Sequence, residues 1–215
     1  MSTTIKYKNL YGEDMTLQQL PNVGDYDKLQ YENGNVKRID SYYDKKLDSG
    51  TYYLSSTEDK QAIVLEFSNI WISTEIYLNT QSVGTFTLRE WETYGGTDLI
   101  SKGKTLFDNQ DRRVATEFLD INSSQIKSIE KKFYLTIHDE YIDIDGLPDF
   151  GQLSFYYKED LIIVEVNLPG FEDDNYRISD NENVLNNLLI RPLFKWEDHP
   201  YYHRALPLIP NTPNI

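Results

Sequence analysis

The sequence predicts an α+β protein that is mainly β, made of antiparallel meanders and hairpins with one or two short helices. Three observations predict it. Seventeen Tyr stand against two Met among 215 residues, and aromatic and β-branched side chains suit a pleated, half-buried surface. Asn33-Gly34 separates two runs of strand-type residues, and a type I′ hairpin turn needs positive φ at both central positions. Strand-like runs bounded by polar or Gly-containing links then recur along the chain. A content of 39% hydrophobic and 13% aromatic residues supplies the burial that offsets chain entropy, which excludes wholesale disorder. The composition also excludes a coiled coil and collagen.

Taken in order, residues 3–11 alternate well enough for a first strand, ended by Gly12-Glu13-Asp14. The Asn33-Gly34 hairpin follows, then a turn over residues 44–50 and a strand at 51–54. Residues 62–67, 70–78 and 83–88 read as buried or half-buried strands, joined by polar links at 68–69 and 79–82 into an antiparallel meander. Gly95-Gly96 and Gly103 mark residues 94–110 as a loop. Residues 113–119 suit a strand or a short helix. Residues 123–133 predict a short helix, with a Ser cap and Ile126, Ile129 and Phe133 on one side. Strand signals recur near 133–144, 152–157 and 161–168. Ser179-Asp180 caps a predicted helix carrying Val184, Leu185, Leu188 and Leu189 until Pro192. Beyond Leu206 a Pro-rich tail reads as extended. The organisation is an N-terminal β-rich lobe (1–93), a loop (94–110) and an acidic C-terminal α+β lobe (111–215), with one continuous domain as the alternative.

Residues 31–54 resemble one unit of the MORN-type β-hairpin repeats, through Tyr31, Asn33, Gly34, Lys37, Tyr42, Tyr43, Gly50, Tyr52 and Tyr53. No second unit is visible, and repeat units usually need neighbours to bury their faces. The resemblance implies a β-hairpin of the kind seen beside bacterial toxin systems.

Charge narrows the partners. The formal net charge is −14, yet residues 139–182 hold 13 acidic side chains against Lys158 and Arg177 alone, and the segments 1–60 and 61–138 are each only −2. A field of one sign on that scale disfavours direct binding to nucleic-acid phosphates or an anionic membrane and favours a basic protein partner through steered encounter. Solubility alone is the plainer explanation. The N-terminus lacks the apolar run of a secretory signal, and no segment approaches 18 uninterrupted apolar residues. The expected compartment is the cytoplasm, which the absence of Cys fits.

Few patterns carry chemistry. Residues 141–152 place Asp143, Asp145 and Gly146 as a calcium loop would, but Tyr141 and Gln152 occupy positions where ligands are required. His199 and His203 stand four apart, the spacing of zinc-binding helices, and His138 is the remaining imidazole. Pro200 between the pair is tolerable only near a helix start. There is no Cys nucleophile, Gly-x-Ser-x-Gly elbow or phosphate-binding loop. Lys131-Lys132 beside Phe133-Tyr134 is too small a basic patch for nucleic acid. No cofactor and no catalytic residue is expected.

The expected function is therefore that of a non-enzymatic interaction protein, an inhibitor of a basic partner such as the immunity protein of a bacterial toxin, a nuclease among the candidates. Asp139, Glu140, Asp143, Asp145, Asp149, Asp173 and Asp174 would meet Lys and Arg of that partner. Tyr141, Phe150, Tyr156 and Phe171 are candidate aromatic anchors, with core packing as the competing role for Tyr156 and Phe171. Two alternatives stand beside this: an acidic phage or mobile-element protein that mimics nucleic acid to block a defence enzyme, and a metal-dependent protein using His138, His199 and His203.

Overall fold

Residues 2–9, 14–136, 150–158, 161–167, 174–177 and 194–210 are described by the computed structural model. They form β1 (Thr3–Lys8), β2 (Asp14–Met15), β3 (Tyr26–Glu32), β4 (Asn35–Tyr43), β5 (Lys46–Tyr53), α1 (Lys60–Phe67), β6 (Ser73–Val83), β7 (Phe86–Gly95), β8 (Asp98–Phe107), β9 (Arg113–Leu119), β10 (Ile126–Thr136), β11 (Phe150–Lys158), β12 (Leu161–Asn167) and β13 (Asp174–Arg177), with short 3₁₀ turns. The protein is mainly β with few helical residues. Two compact units divide the chain, unit 1 from residues 1–80 and 89–103 and unit 2 from residues 81–88 and 104–215.

In unit 1 the strand order runs β2-β1-β3-β4-β5-β6. Asn33 (φ 51°) and Gly34 (φ 85°) make the two-residue turn between β3 and β4, as the dipeptide demands. The next turn is shorter than expected: Asp44 (φ 47°) and Lys45 (φ 62°) complete it, and β5 begins at Lys46. Gly50 therefore lies inside a strand. Its role is close approach, since a Cβ there would sit 2.1 Å from the Trp71 ring.

Residues 62–67 are helix, not strand. Asp59, in extended conformation, accepts the N–H groups of Gln61 and Ala62 and so caps α1. Val64 and Phe67 turn inward to 2% exposure each. A short apolar run does not separate strand from buried helix by periodicity; topology does. β5 and β6 pair in parallel, from Ser49 opposite Ser73 to Tyr53 opposite Tyr77, and a parallel pair needs a crossover, which α1 supplies.

Two further corrections concern turns. The 79–82 link is strand, because β6 runs on to Val83 and the turn falls at Gly84 (φ 62°) and Thr85. Residues 94–110 are mostly strand rather than loop: β7 ends at Gly95, Gly96 (φ 61°) and Thr97 turn the chain, and β8 occupies 98–107. Gly95-Gly96 is a turn signal, and only Gly96 has positive φ.

In unit 2, β9 to β13 follow one another antiparallel. The helix expected over 123–133 is strand β10. Asp120 accepts the N–H groups of Asn122 and Ser123, forming a turn that Ser124 (φ 57°) closes. From Ile129 onward, Ile129, Lys131 and Phe133 alternate with Glu130, Lys132 and Tyr134. Both the helical and the strand period fit this stretch, and pairing with β9 and β11 on either side decides it. One face packs Ile129, Leu153, Phe155, Val164 and Val166 against Phe194, Tyr202 and Leu208 of the C-terminal segment, so the tail packs at least through Leu208. The helix expected from Ser179 and the strand expected over 137–144 lie outside the described residues.

Candidate functional site

Register locates the acidic stretches. Thr136, the last residue of β10, faces Phe150, the first of β11. Gln152 faces Asn167, the last of β12, and Val166 faces Asp174, the first of β13. The residues flanking 137–149 and those flanking 168–173 thus stand at the same end of four neighbouring strands. Lys158 and Leu161 pair at the opposite end. Asp139, Glu140, Asp143, Asp145 and Asp149 fall in the first stretch, Glu172 and Asp173 in the second, and Asp174 opens β13. Neither stretch contains Lys or Arg.

Of the sequence-predicted site residues, Asp139, Glu140, Tyr141, Asp143, Asp145, Asp149 and Asp173 lie outside the described residues, as do Phe171, His138 and most of the calcium-loop pattern. Phe150 and Asp174 are placed by the backbone at that common end. Tyr156 lies further inside β11, half-buried, and its hydroxyl donates to Glu165 Oε2 at 2.7 Å. Burial first, then Glu165, raises its phenol, so Tyr156 is a sheet side chain with a satisfied hydroxyl.

The described cations near that end are mostly engaged. The β8–β9 turn presents Arg112, whose Nε and Nη2 each lie 2.7 Å from Asp108 Oδ2 and whose guanidinium stands 4.6 Å over the Tyr134 ring. Lys132 Nζ lies 3.3 Å from Glu130 Oε1. Arg112, Lys132 and Tyr134 line a cavity of about 170 Å³ with Thr85, Phe86 and Val114. Arg113 is exposed at the start of β9. Asp108 and Glu130 thus pair with the inner cations of this end, Arg112 and Lys132.

The histidine pair is divided by its rings. Residues 196–198 and 200–203 form separate 3₁₀ turns, so a spacing of four does not put both imidazoles on one helical face. His199 stacks on Phe194 at 4.7 Å and 10°, and burial lowers its pKa. His203 stacks on Trp196 at 4.3 Å, with Nε2 2.7 Å from the Trp196 carbonyl. Among the described residues no group of three or more His, Asp or Glu is placed to hold a metal ion.

Sequence reasoning missed Lys131. Its side chain is fully buried on the core face of β10. The amine donates to the carbonyls of Tyr201 (2.8 Å) and Arg204 (2.9 Å) and lies 3.7 Å over the Tyr201 ring. The Tyr157 hydroxyl donates to the Tyr202 carbonyl and the Tyr202 hydroxyl to the Lys132 carbonyl, which completes the grip on the C-terminal segment. Burial pulls Lys131 down to about 7. The signal was present: Ile129 and Phe133 flank it at strand spacing on the apolar face.

In unit 1, β4, β5 and the α1 region form a charge–aromatic layer. The β3–β4 register steps from Gln30 opposite Arg38 to Tyr31 opposite Val36, which leaves Lys37 as a bulge residue and lets both cations meet aromatic rings. Lys37 stands 4.5 Å over Tyr52, and Arg38 stands 4.7 Å over Phe67 and 4.8 Å over Trp71. Asp40, 4% exposed, accepts from Arg38 and from Trp71 Nε1. Among the described residues no helix is long and apolar enough to cross a membrane. Comparison with known protein families, curated proteins and solved structures gives no match to this chain.

Proposed function

We propose that this chain is an interaction protein that binds and neutralises a basic partner in the cytoplasm, as an immunity protein does a toxin, through the acidic end of β10–β13. The observation that carries this is the register: two stretches separated by the β11–β12 hairpin are flanked by residues at one end of the sheet, and together with Asp174 they hold eight carboxylates. An uncompensated group of like charges raises the encounter rate with an opposite charge and discriminates against wrong partners. The MORN-like hairpin supports the same class by resemblance. Nucleic-acid mimicry would be better served by carboxylates spaced evenly along the chain than by the clusters that residues 139–149 and 172–174 hold.

The test uses a basic protein captured with this chain as bait. Reversing Asp143, Asp145 and Asp149 to Lys weakens the complex far more than reversing Glu32, Asp48 and Glu66 of unit 1. Truncating or reversing members of desolvated charge pairs costs on the order of 2–5 kcal/mol, whereas rim charges chiefly alter association rates. Equal affinity for both triple variants would place the interface elsewhere and assign the acid to solubility.

A further inference from the structure

We propose that the outer edge of β1 takes an extended strand of another protein, one in which apolar side chains alternate with carboxylates. β1 pairs with β3 along its whole length, from Thr3 opposite Glu32 to Lys8 opposite Asp27. On its other side β2 covers only Tyr7 and Lys8. After Met15 the chain turns away, with Gln19 N–H donating to the Thr16 carbonyl and the Gln19 side-chain oxygen accepting from Thr16. The edge from Thr3 to Lys6 is therefore paired with no strand among the described residues, and all four side chains are exposed. Such an edge is a template for strand addition, and proteins usually blunt it with charge, proline or bulges. Here β2 itself shows the register that an added antiparallel strand would continue.

The side chains specify what kind of strand fits. Ile5, Lys6, Tyr7, Asp14, Met15 and Leu17 border a cavity of about 470 Å³ beside this edge, with Ile5 48% and Leu17 66% exposed; Asp14 lies opposite Lys8, which leaves Lys6 as the charged side chain of the 3–6 edge. Successive residues of a strand face opposite ways, so Ile5 and Tyr7 share one face and Lys6 the other. Lys6 stands 5.5 Å over the Tyr31 ring and has no carboxylate partner among the described residues. An incoming strand thus finds main-chain hydrogen bonds along the edge, an apolar surface at Ile5 and an unmatched cation at Lys6; backbone bonds give affinity and alternating pockets give selectivity. This site is in unit 1, selects acid rather than base, and stands or falls independently of the acidic end of unit 2.

The experiment titrates the intact protein with a capped six-residue peptide of alternating valine and glutamate and follows amide exchange at the alternate residues of 3–6 whose N–H groups point away from β3. The expected result is at least tenfold slower exchange there at saturation. A second peptide, N-methylated at every residue, keeps the side chains but has no N–H left to pair at either edge and should not bind. Lys6→Glu should invert the preference, favouring an alternating valine–lysine peptide, a swap that simple loss of folding does not produce. Any of three results would overturn the proposal: equal binding of the N-methylated peptide, no protection at millimolar peptide, or protection that rises with protein concentration alone, which would make a second copy the occupant.

Discussion

Lys131 is a lysine on the wrong face of a strand, and its two carbonyl acceptors explain why the fold retains it. Removing an ammonium from water is costly, yet each N–H that points at Tyr201 and Arg204 has a partner. The groups facing it from β11 and the C-terminal segment are the Tyr157 and Tyr201 rings, whose phenols burial raises. They stay neutral and offer no counter-charge. With its folded pKa near 7 and an unfolded value near 10.4, the unfolded chain binds the extra proton between those limits. Stability contributed by this residue is therefore lowest below about pH 7 and rises toward pH 10, by at most about 1.4 kcal/mol per pH unit for one proton. Denaturant unfolding at a series of pH values should show that slope, and Lys131→Met should abolish it while loosening residues 194–210.

Glu58 gives a dependence of the same sign in an acid window, but there the charged form is the one the fold favours. Burial alone would raise its carboxyl, but the Lys37 ammonium, the Ser55 N–H and the hydroxyls of Tyr52 and Ser55 outweigh burial and bring it down to about 2. The stability it contributes is complete above its ordinary value near 4.5 and is lost as pH falls toward 2. Glu58→Gln should flatten that part of the acid unfolding curve; an unchanged curve would mean that the carboxylate is not held this way.

At the scale of elements, turn chemistry was the most legible feature and strand boundaries the least. Asn33-Gly34 announces its conformation because few residues accept positive φ twice in succession. Asp44-Lys45 adopts a similar turn without glycine, so the sequence over-extended that loop to Gly50. The helix–strand exchanges at 60–67 and 126–136 have one cause: short apolar runs satisfy both periods, and the partner strands that decide between them are remote in sequence. Gly50 shows why a motif residue matters to packing. Gly50→Ala drives a methyl into the Trp71 ring and should cost about 2–3 kcal/mol, whereas Gly24→Ala, with nothing near its added carbon, should stay within about 1 kcal/mol. Chemical denaturation of both variants compares them. Removal of the α1 cap by Asp59→Ala should cost about 1 kcal/mol, read in the same way.

Across the whole molecule, the acid content of the candidate site was fully legible as a count, but the common end of the strands that flank it was not. Nothing in residues 139–182 says that Thr136, Phe150, Asn167 and Asp174 share one end of the sheet; that follows only from the β10–β13 register. The histidines illustrate the converse. Their spacing was visible, while the aromatic rings that separate them came from tertiary packing. The most direct measurement of the central claim is the association rate of the unaltered protein with a captured basic protein, the proposed partner, as salt rises from about 0.01 to about 0.5 M. Attraction between charges is screened over about 30 Å at the low end and about 8 Å at 0.15 M, so the account predicts an association rate that falls steeply with salt while dissociation changes little. An association rate independent of salt would contradict it.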